Sequence, residues 1–212
     1  AKTVLQMVAI PAMLLCNWPF YHISDKFNIC LIFVYLATLV SLISGIIYVI
    51  QNKSVFKESK IPELIQICKE RNITIGSVES ITGGSFASSI TACKGSSSAY
   101  KGSIISYATE IKESLVKVNK EVIDKHSVVS SEVAKEMALK GREHLNVDYC
   151  VSCTGNAGPT VCEGDMPVGR VYISLADKNG IIKTKELNLK GNRNDIQNQT
   201  VEKMINIIFE NI

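Results

Sequence analysis

The sequence predicts an α/β layered domain with a mixed sheet, about 150 residues long, preceded by an α-helical transmembrane hairpin. Three observations predict it. The first 58 residues are apolar and nearly free of charge, whereas from Ser59 onward charged and apolar residues mix as in a globular domain. Within that second part, short β-branched runs alternate with helically spaced apolar residues. Near the end, two strand-like runs meet at Lys178-Asn179-Gly180, where Asn-Gly marks a tight hairpin. The domains are therefore read as 1–58, the membrane hairpin, and 59–212, the layered domain.

Ile29 to Ile50 contains no charged residue, and its length matches the about 20 apolar residues that cross a bilayer. Thr3 to Phe20 is similarly apolar, with Pro11 placed to kink it and Trp18, Phe20 and Tyr21 grouped as at a membrane interface. Tyr21 to Asn28 then serves as the turn. Lys53, Lys57 and Lys60 follow the second span, so the positive-inside bias predicts a membrane-anchored chain with everything after Asn52 in the cytoplasm. A signal peptide is the competing reading. The second span lacks a small-residue cleavage site and no initiator Met precedes the first, so the chain reads as beginning partway through a longer unit.

In the second part, Pro62 can start a helix whose apolar face is Leu64, Ile65, Ile67 and Cys68. Ile73, Ile75 and Val78 predict a strand ending near Glu79. It is followed by the bend Ser80-Ile81-Thr82-Gly83-Gly84 and a helix from Ser85. A serine-rich loop, Lys94 to Ser98, leads to a strand over Ser103 to Ala108, and Glu110 to Val118 reads as a helix. After a turn near His126, Val133, Met137, Ala138 and Leu145 mark a longer helix from Ser131 that stops before Asn146. Tyr149 to Cys153 is a strand entering the loop Thr154-Gly155-Asn156-Ala157-Gly158-Pro159. Strands over Val168 to Ala176 and Ile181 to Leu189, then a helix carrying Ile196, Met204, Ile205 and Ile208, complete the pattern.

The net charge of +3, from 23 Lys and Arg against 20 Asp and Glu, is small and scattered, which argues against a nucleic-acid partner. The seven cysteines are odd in number and two lie in the apolar runs, so a secreted disulfide framework is excluded in favour of a reducing cytosol. Cys150-Val151-Ser152-Cys153 has the spacing of a metal or redox pair. In a strand, however, residues three apart point to opposite faces, which favours two buried thiols.

The chemistry concentrates at strand ends. The bend at Ser80 places hydroxyls and backbone N–H groups where a strand meets a helix N-terminus, a setting that favours a developing oxyanion. Its N–H groups from Thr82 to Gly84 are the expected donors. A second strand end carries Tyr107, with Lys112 in the following helix. A serine becomes a nucleophile when a neutral buried lysine, or a tyrosine bonded to that lysine, takes its proton. The glycine-bearing loop Thr154 to Pro159 suits either a phosphate or ribose, or a plain tight turn. These groups converge only if the strands are neighbours.

Several stretches in order resemble one family. Glu79-Ser80-Ile81-Thr82-Gly83-Gly84, Gly95-Ser96-Ser97, Tyr107 with Lys112, Val129-Ser130, Thr154-Gly155-Asn156-Ala157-Gly158-Pro159, Pro167-Val168-Gly169 and Gly191-Asn192-Arg193 look like the signature of the CinA C-terminal family. That family comprises nicotinamide-nucleotide amidases. The resemblance spans about residues 61–212. It implies a three-layer α/β/α fold and hydrolysis of the carboxamide of nicotinamide mononucleotide to nicotinate mononucleotide and ammonia, with no metal or other cofactor. It also implies that Ser80 is the nucleophile, Lys112 the general base and Tyr107 the group that relays or orients the proton. Thr82, Gly83, Gly84, Thr154, Gly155 and Ala157 then shape the nucleotide pocket, and Arg193 clamps its phosphate.

The chain departs from the family pattern at Ser103, Asn156 and Arg170, and its loop Val161-Cys162-Glu163-Gly164-Asp165 is poorer in glycine. Glu79 is read as fixing the bend, and His126 and His144 are given no role. Lys2-Thr3-Val4-Leu5-Gln6-Met7 resembles a stretch near the end of CDP-diacylglycerol–glycerol-3-phosphate phosphatidyltransferases. The aspartate-rich motif that carries that family's chemistry is missing from the sequence. The expected partners are a small nucleotide substrate and the lipid bilayer, reached through residues 1–58. Whether the chain forms a homo-oligomer stays open. The alternatives are a non-catalytic nucleotide-binding module of the same family, or a piece of a phosphatidyltransferase fusion.

Overall fold

A computed structural model describes residues 29–51, 60–160 and 166–212. The chain divides into two compact units, Ala1–Glu58 and Ser59–Ile212.

In the first unit, helix α1 spans Ile29–Gln51 without a charged residue. Its large apolar side chains from Tyr35 to Tyr48, including Leu39, Leu42 and Ile46, are exposed. Among the described residues, no helix is long and apolar enough to cross a membrane. Within α1 the described side chains begin at Tyr35 and end at Tyr48, short of the about 20 residues a span needs. A hairpin also needs two helices, and the predicted first arm over 3–20 and its turn over 21–28 lie outside the described residues, as do the lysines at 53 and 57. The predicted transmembrane hairpin is therefore unsupported.

In the second unit, the described residues form one five-stranded sheet in the order β2-β1-β3-β4-β5. The strands are β1 (Ile75–Glu79), β2 (Tyr100–Ile105), β3 (Tyr149–Gly155), β4 (Arg170–Asp177) and β5 (Gly180–Asn188). β2 and β3 lie on either side of β1 and both run parallel to it, while β4 and β5 add antiparallel, joined by the predicted hairpin. The sheet is mixed, as the sequence pattern required.

Helices cover both faces. On one side α2 (Ile61–Glu70), α3 (Ser85–Thr91) and α7 (Arg193–Phe209) close a core containing Leu64, Phe86, Val151, Cys153, Ile173 and Met204. On the other, α5 (Lys120–His126) and α6 (Ser131–Leu145) cover Val78, Val116, Met137 and Cys150. Cys150 and Cys153 thus fall in different cores, as strand alternation demands. Gly141 lets α6 approach the sheet closely: a Cβ there would meet Val78 and lie 2.9 Å from the Cys150 sulfur.

Between β2 and α5 the chain departs from the predicted helix. A single turn, α4 (Thr109–Ile111), opens at once into a wider π-helical turn over Lys112–Val116, and Lys117 closes it at φ +68°. β2 also starts and stops three residues earlier than its apolar pattern suggests. Ser106 makes its last contact with β1 through its N–H to the Glu79 carbonyl, and the chain then leaves the sheet.

Candidate active site

Three strand ends meet because β1, β2 and β3 are mutually parallel. The register pairs Glu79 with both Ile105 and Cys153, so Ser80, Ser106 and Thr154 follow at the same edge. The chain crosses from β1 to β2 on one side and returns to β3 on the other. The carboxyl edge of β1 is therefore a switch point of the kind that leaves a crevice in α/β sheets. A cleft of about 910 Å³ opens there, lined by Ser80, Ile81, Tyr107, Lys112, Thr154 and Arg193 among others.

Lys112 is 1% exposed, and its Nζ lies 2.9 Å from Ser80 Oγ. The same nitrogen donates to the Ser106 carbonyl at 2.6 Å and the Tyr107 carbonyl at 3.3 Å. These three acceptors match the three N–H bonds of an ammonium group. Among the described residues no carboxylate forms an ion pair with it, and burial lowers its pKa from 10.5 to about 8, against smaller opposing effects of Cys153 and Glu110. A buried amine that releases its proton this easily, in contact with a hydroxyl, is a base beside a nucleophile.

Glu79 fixes the bend. Fully buried, its carboxylate accepts from Thr82 Oγ1 at 2.7 Å, from the Gly84 and Phe86 N–H groups at 3.0 and 3.1 Å, and from the Ala87 N–H at 3.0 Å. Ser103, where the family pattern has glycine, adds a fifth donor at 3.0 Å. The first turn of α3 is thereby satisfied by a charge that the chain itself supplies. Gly83 and Gly84 hold φ of +58° and +98°, which lets the chain double back onto that carboxylate.

Two of the expected oxyanion donors, the Gly83 and Gly84 N–H groups, are engaged elsewhere. The Gly84 N–H serves Glu79 and the Gly83 N–H serves the Ser80 carbonyl at 3.2 Å. Neither Thr82 nor the two glycines line the cleft. Thr82 is instead buried, with its hydroxyl between Glu79 and Cys153.

The phenol of Tyr107 is placed away from the amine. It is largely exposed and accepts from an Arg193 terminal nitrogen at 3.1 Å; only its backbone carbonyl touches Lys112. Arg193, the first residue of α7, donates from its other terminal nitrogen to the Gly158 carbonyl at 2.7 Å and so stands at the cleft wall. Thr154 and Ala157 are buried in that wall, Thr154 donating to the Val128 carbonyl at 2.9 Å. At Gly155 a Cβ would come within 2.8 Å of the Arg170 carbonyl, so glycine is needed for β4 to pass.

Two departures from the family pattern find their places. Asn156 closes its own loop: its amide donates to the Thr160 and Met166 carbonyls, and its oxygen accepts the Gly158 N–H. Arg170 lies outside the cleft lining, with Nε 3.3 Å from a Glu186 carboxylate oxygen. The glycine-poor loop over 161–165 lies outside the described residues.

One wall of the cleft had no site role in the sequence reading, which placed only a turn and the Val129-Ser130 motif there. The end of α5 and the residues after it, Asp124, Lys125, His126, Ser127 and Val128, line the cleft, although His126 had been given no role. Ser127 holds φ +69° and ψ +156°. The heptapeptide forming α5 is too short for periodicity to announce it.

Fold and site together define an α/β protein with a serine–lysine pair at the switch point of a mixed sheet. The comparisons agree with that class: the CinA C-terminal domain model matches residues 57–212, and the chain belongs to that family. A CinA-like protein of Flavobacterium psychrophilum is 36% identical over 159 residues, 74% of this chain and 38% of that protein. One from Prochlorococcus marinus is 41% identical over 138 residues, 65% and 32% respectively. The chain thus spans well under half of these relatives. Among solved structures, the competence/damage inducible protein CihA of Agrobacterium tumefaciens superposes with a TM-score of 0.67 at 25% identity, covering 72% of this chain and 96% of that one. A CinA superfamily protein of Klebsiella pneumoniae gives 0.69 at 23% identity, covering 71% and 93%, and bears on the fold alone.

Proposed function

We propose that residues 59–212 hydrolyse the carboxamide of nicotinamide mononucleotide to nicotinate mononucleotide and ammonia. The observation that carries this reading is the 2.9 Å contact between the buried Lys112 amine and the Ser80 hydroxyl in an open cleft. The choice of substrate comes from the family resemblance.

In this reading neutral Lys112 takes the Ser80 proton as Oγ bonds to the carboxamide carbon. The C=O electron pair moves onto oxygen. As the tetrahedral centre collapses, the Lys112 ammonium passes its proton to the departing nitrogen, and ammonia leaves an ester on Ser80. Water, deprotonated by the same amine, then cleaves that ester to the carboxylate and restores the serine. Arg193 supplies a planar, permanently charged fork for the nucleotide phosphate, and Thr154, Gly155 and Ala157 shape the wall beside it. Tyr107 orients the amine through its backbone carbonyl and the arginine through its phenol.

The test is ammonia release from nicotinamide mononucleotide. Ser80→Ala should lower turnover to background while the thermal melt stays within a few degrees of the parent. Undiminished turnover removes Ser80 as nucleophile. Calorimetric binding of the mononucleotide without any turnover by the parent chain identifies a binding module instead.

We also propose that residues 1–58 tether this unit to a membrane, with the second unit on the cytoplasmic side. Support comes from the charge-free sequence over Ile29 to Ile50 and from the exposed apolar side chains between Tyr35 and Tyr48.

A further inference from the structure

An acyl transfer to Ser80 develops negative charge on the substrate's carbonyl oxygen, and something must receive it. The bend offers few free amides. The Gly83 N–H bonds the Ser80 carbonyl, the Ser85 N–H bonds the Thr82 carbonyl at 3.1 Å, and those of Gly84, Phe86 and Ala87 bond Glu79. The Ile81 N–H has no hydrogen-bond partner among the described residues.

Its direction follows from the planar peptide. In a trans peptide the C=O and the following N–H point opposite ways, so a Ser80 carbonyl turned inward to Gly83 sends the Ile81 N–H out of the turn. Ser80 and Ile81 both line the cleft. The next peptide is clamped from a distant element: Gln197, on α7, donates its side-chain N–H to the Ile81 carbonyl at 2.9 Å. Gln197 is partly buried and touches no other part of the bend by hydrogen bond.

We infer that the Ile81 N–H is the oxyanion donor of this site and that Gln197 is the positioning residue that holds it in aim. The inference rests on the acyl-transfer reading of Ser80 and Lys112. It adds the acceptor of the negative charge and a tie between α7 and the nucleophile's bend. As Ser80 Oγ bonds the carbonyl carbon and its proton passes to Lys112, the displaced π pair on oxygen accepts the Ile81 N–H. Collapse of the tetrahedral centre returns that pair to the carbon–oxygen bond. Gln197 touches neither substrate nor nucleophile. It fixes the plane of the peptide after Ile81, and without it that segment pivots about the Ile81 Cα.

The experiment uses the full chain with two substrates, nicotinamide mononucleotide for amide cleavage and p-nitrophenyl acetate for acylation of Ser80 alone. Gln197→Met keeps length and removes the donor. It should lower kcat about tenfold to a hundredfold on the amide, with KM changed less than about twofold, and lower the ester acylation rate in parallel. Ile81→Pro removes the N–H itself and should cost about 10²–10³ in both reactions, with folding checked by circular dichroism. Parent-like kcat in Gln197→Met, or a rise in KM at constant kcat, overturns the inference. Ester acylation that needs Ser80 and Gln197 while the mononucleotide is untouched upholds it and rejects the substrate. A parent chain that reacts with neither overturns both.

Discussion

Lys112 carries the most information of any single residue because its burial and its reactivity have one cause. Removed from water and given only neutral acceptors, the ammonium is destabilised relative to the amine, and the pKa falls to about 8. Turnover should therefore rise about tenfold per pH unit below 8 and level off above it, which a kcat/KM profile on the mononucleotide measures. Stability follows the same proton. Between about 8 and 10.5 the unfolded chain binds it and the folded chain does not, so Lys112's contribution grows with pH across that window. It is complete above 10.5 and lost as pH falls through about 8. Urea titrations at pH 8 and pH 10 should show a rise in the parent that Lys112→Met lacks. A flat rate profile, or equal pH dependence in the two proteins, removes the buried-amine account.

Among the elements, the junction of α5 and α6 stores strain. The Ser127 N–H closes α5 on the Ile123 carbonyl at 2.8 Å, and its carbonyl then accepts Ser130 Oγ, the cap of α6. Meeting both within four residues forces Ser127 to φ +69° and ψ +156°, a region that costs a residue with a Cβ about 1–3 kcal/mol. Glycine avoids that cost and loses about 0.5–1 kcal/mol to chain entropy. Ser127→Gly should therefore stabilise by about 1 kcal/mol, raising Tm by about 2–4 °C by calorimetry for a unit of this size. An unchanged or lower Tm means that the serine is at ease there.

At the scale of the whole molecule, the two units differ in charge character. Each described core cluster lies within the second unit, so a chain of residues 59–212 should fold and keep the kcat/KM of the full chain. The full chain should sediment with phosphatidylglycerol vesicles and the shorter one should stay in the supernatant. If both remain in the supernatant, residues 1–58 are no membrane tether.

Strand order along the chain, the hairpin at Asn179-Gly180 and the helix from Ser131 to Leu145 were legible because turn chemistry and apolar spacing are local properties. The bend at Ser80 was legible for the same reason, since paired glycines between a strand and a helix mark it. The α5 wall was not, because seven residues hold too few turns to show a period. Nor was the fate of the bend's amides: that depends on where a carboxylate from one residue earlier folds back, and Ser103 reaches that carboxylate, as Gln197 reaches the Ile81 carbonyl, from elements that sequence spacing does not connect. The sequence alone determined which residues could do acid–base and nucleophilic work. Only the tertiary structure decided which of them meet. Parallel pairing of β1, β2 and β3 brings three strand ends to one edge, and burial there, a property of the packed chain, sets the proton affinity of the amine.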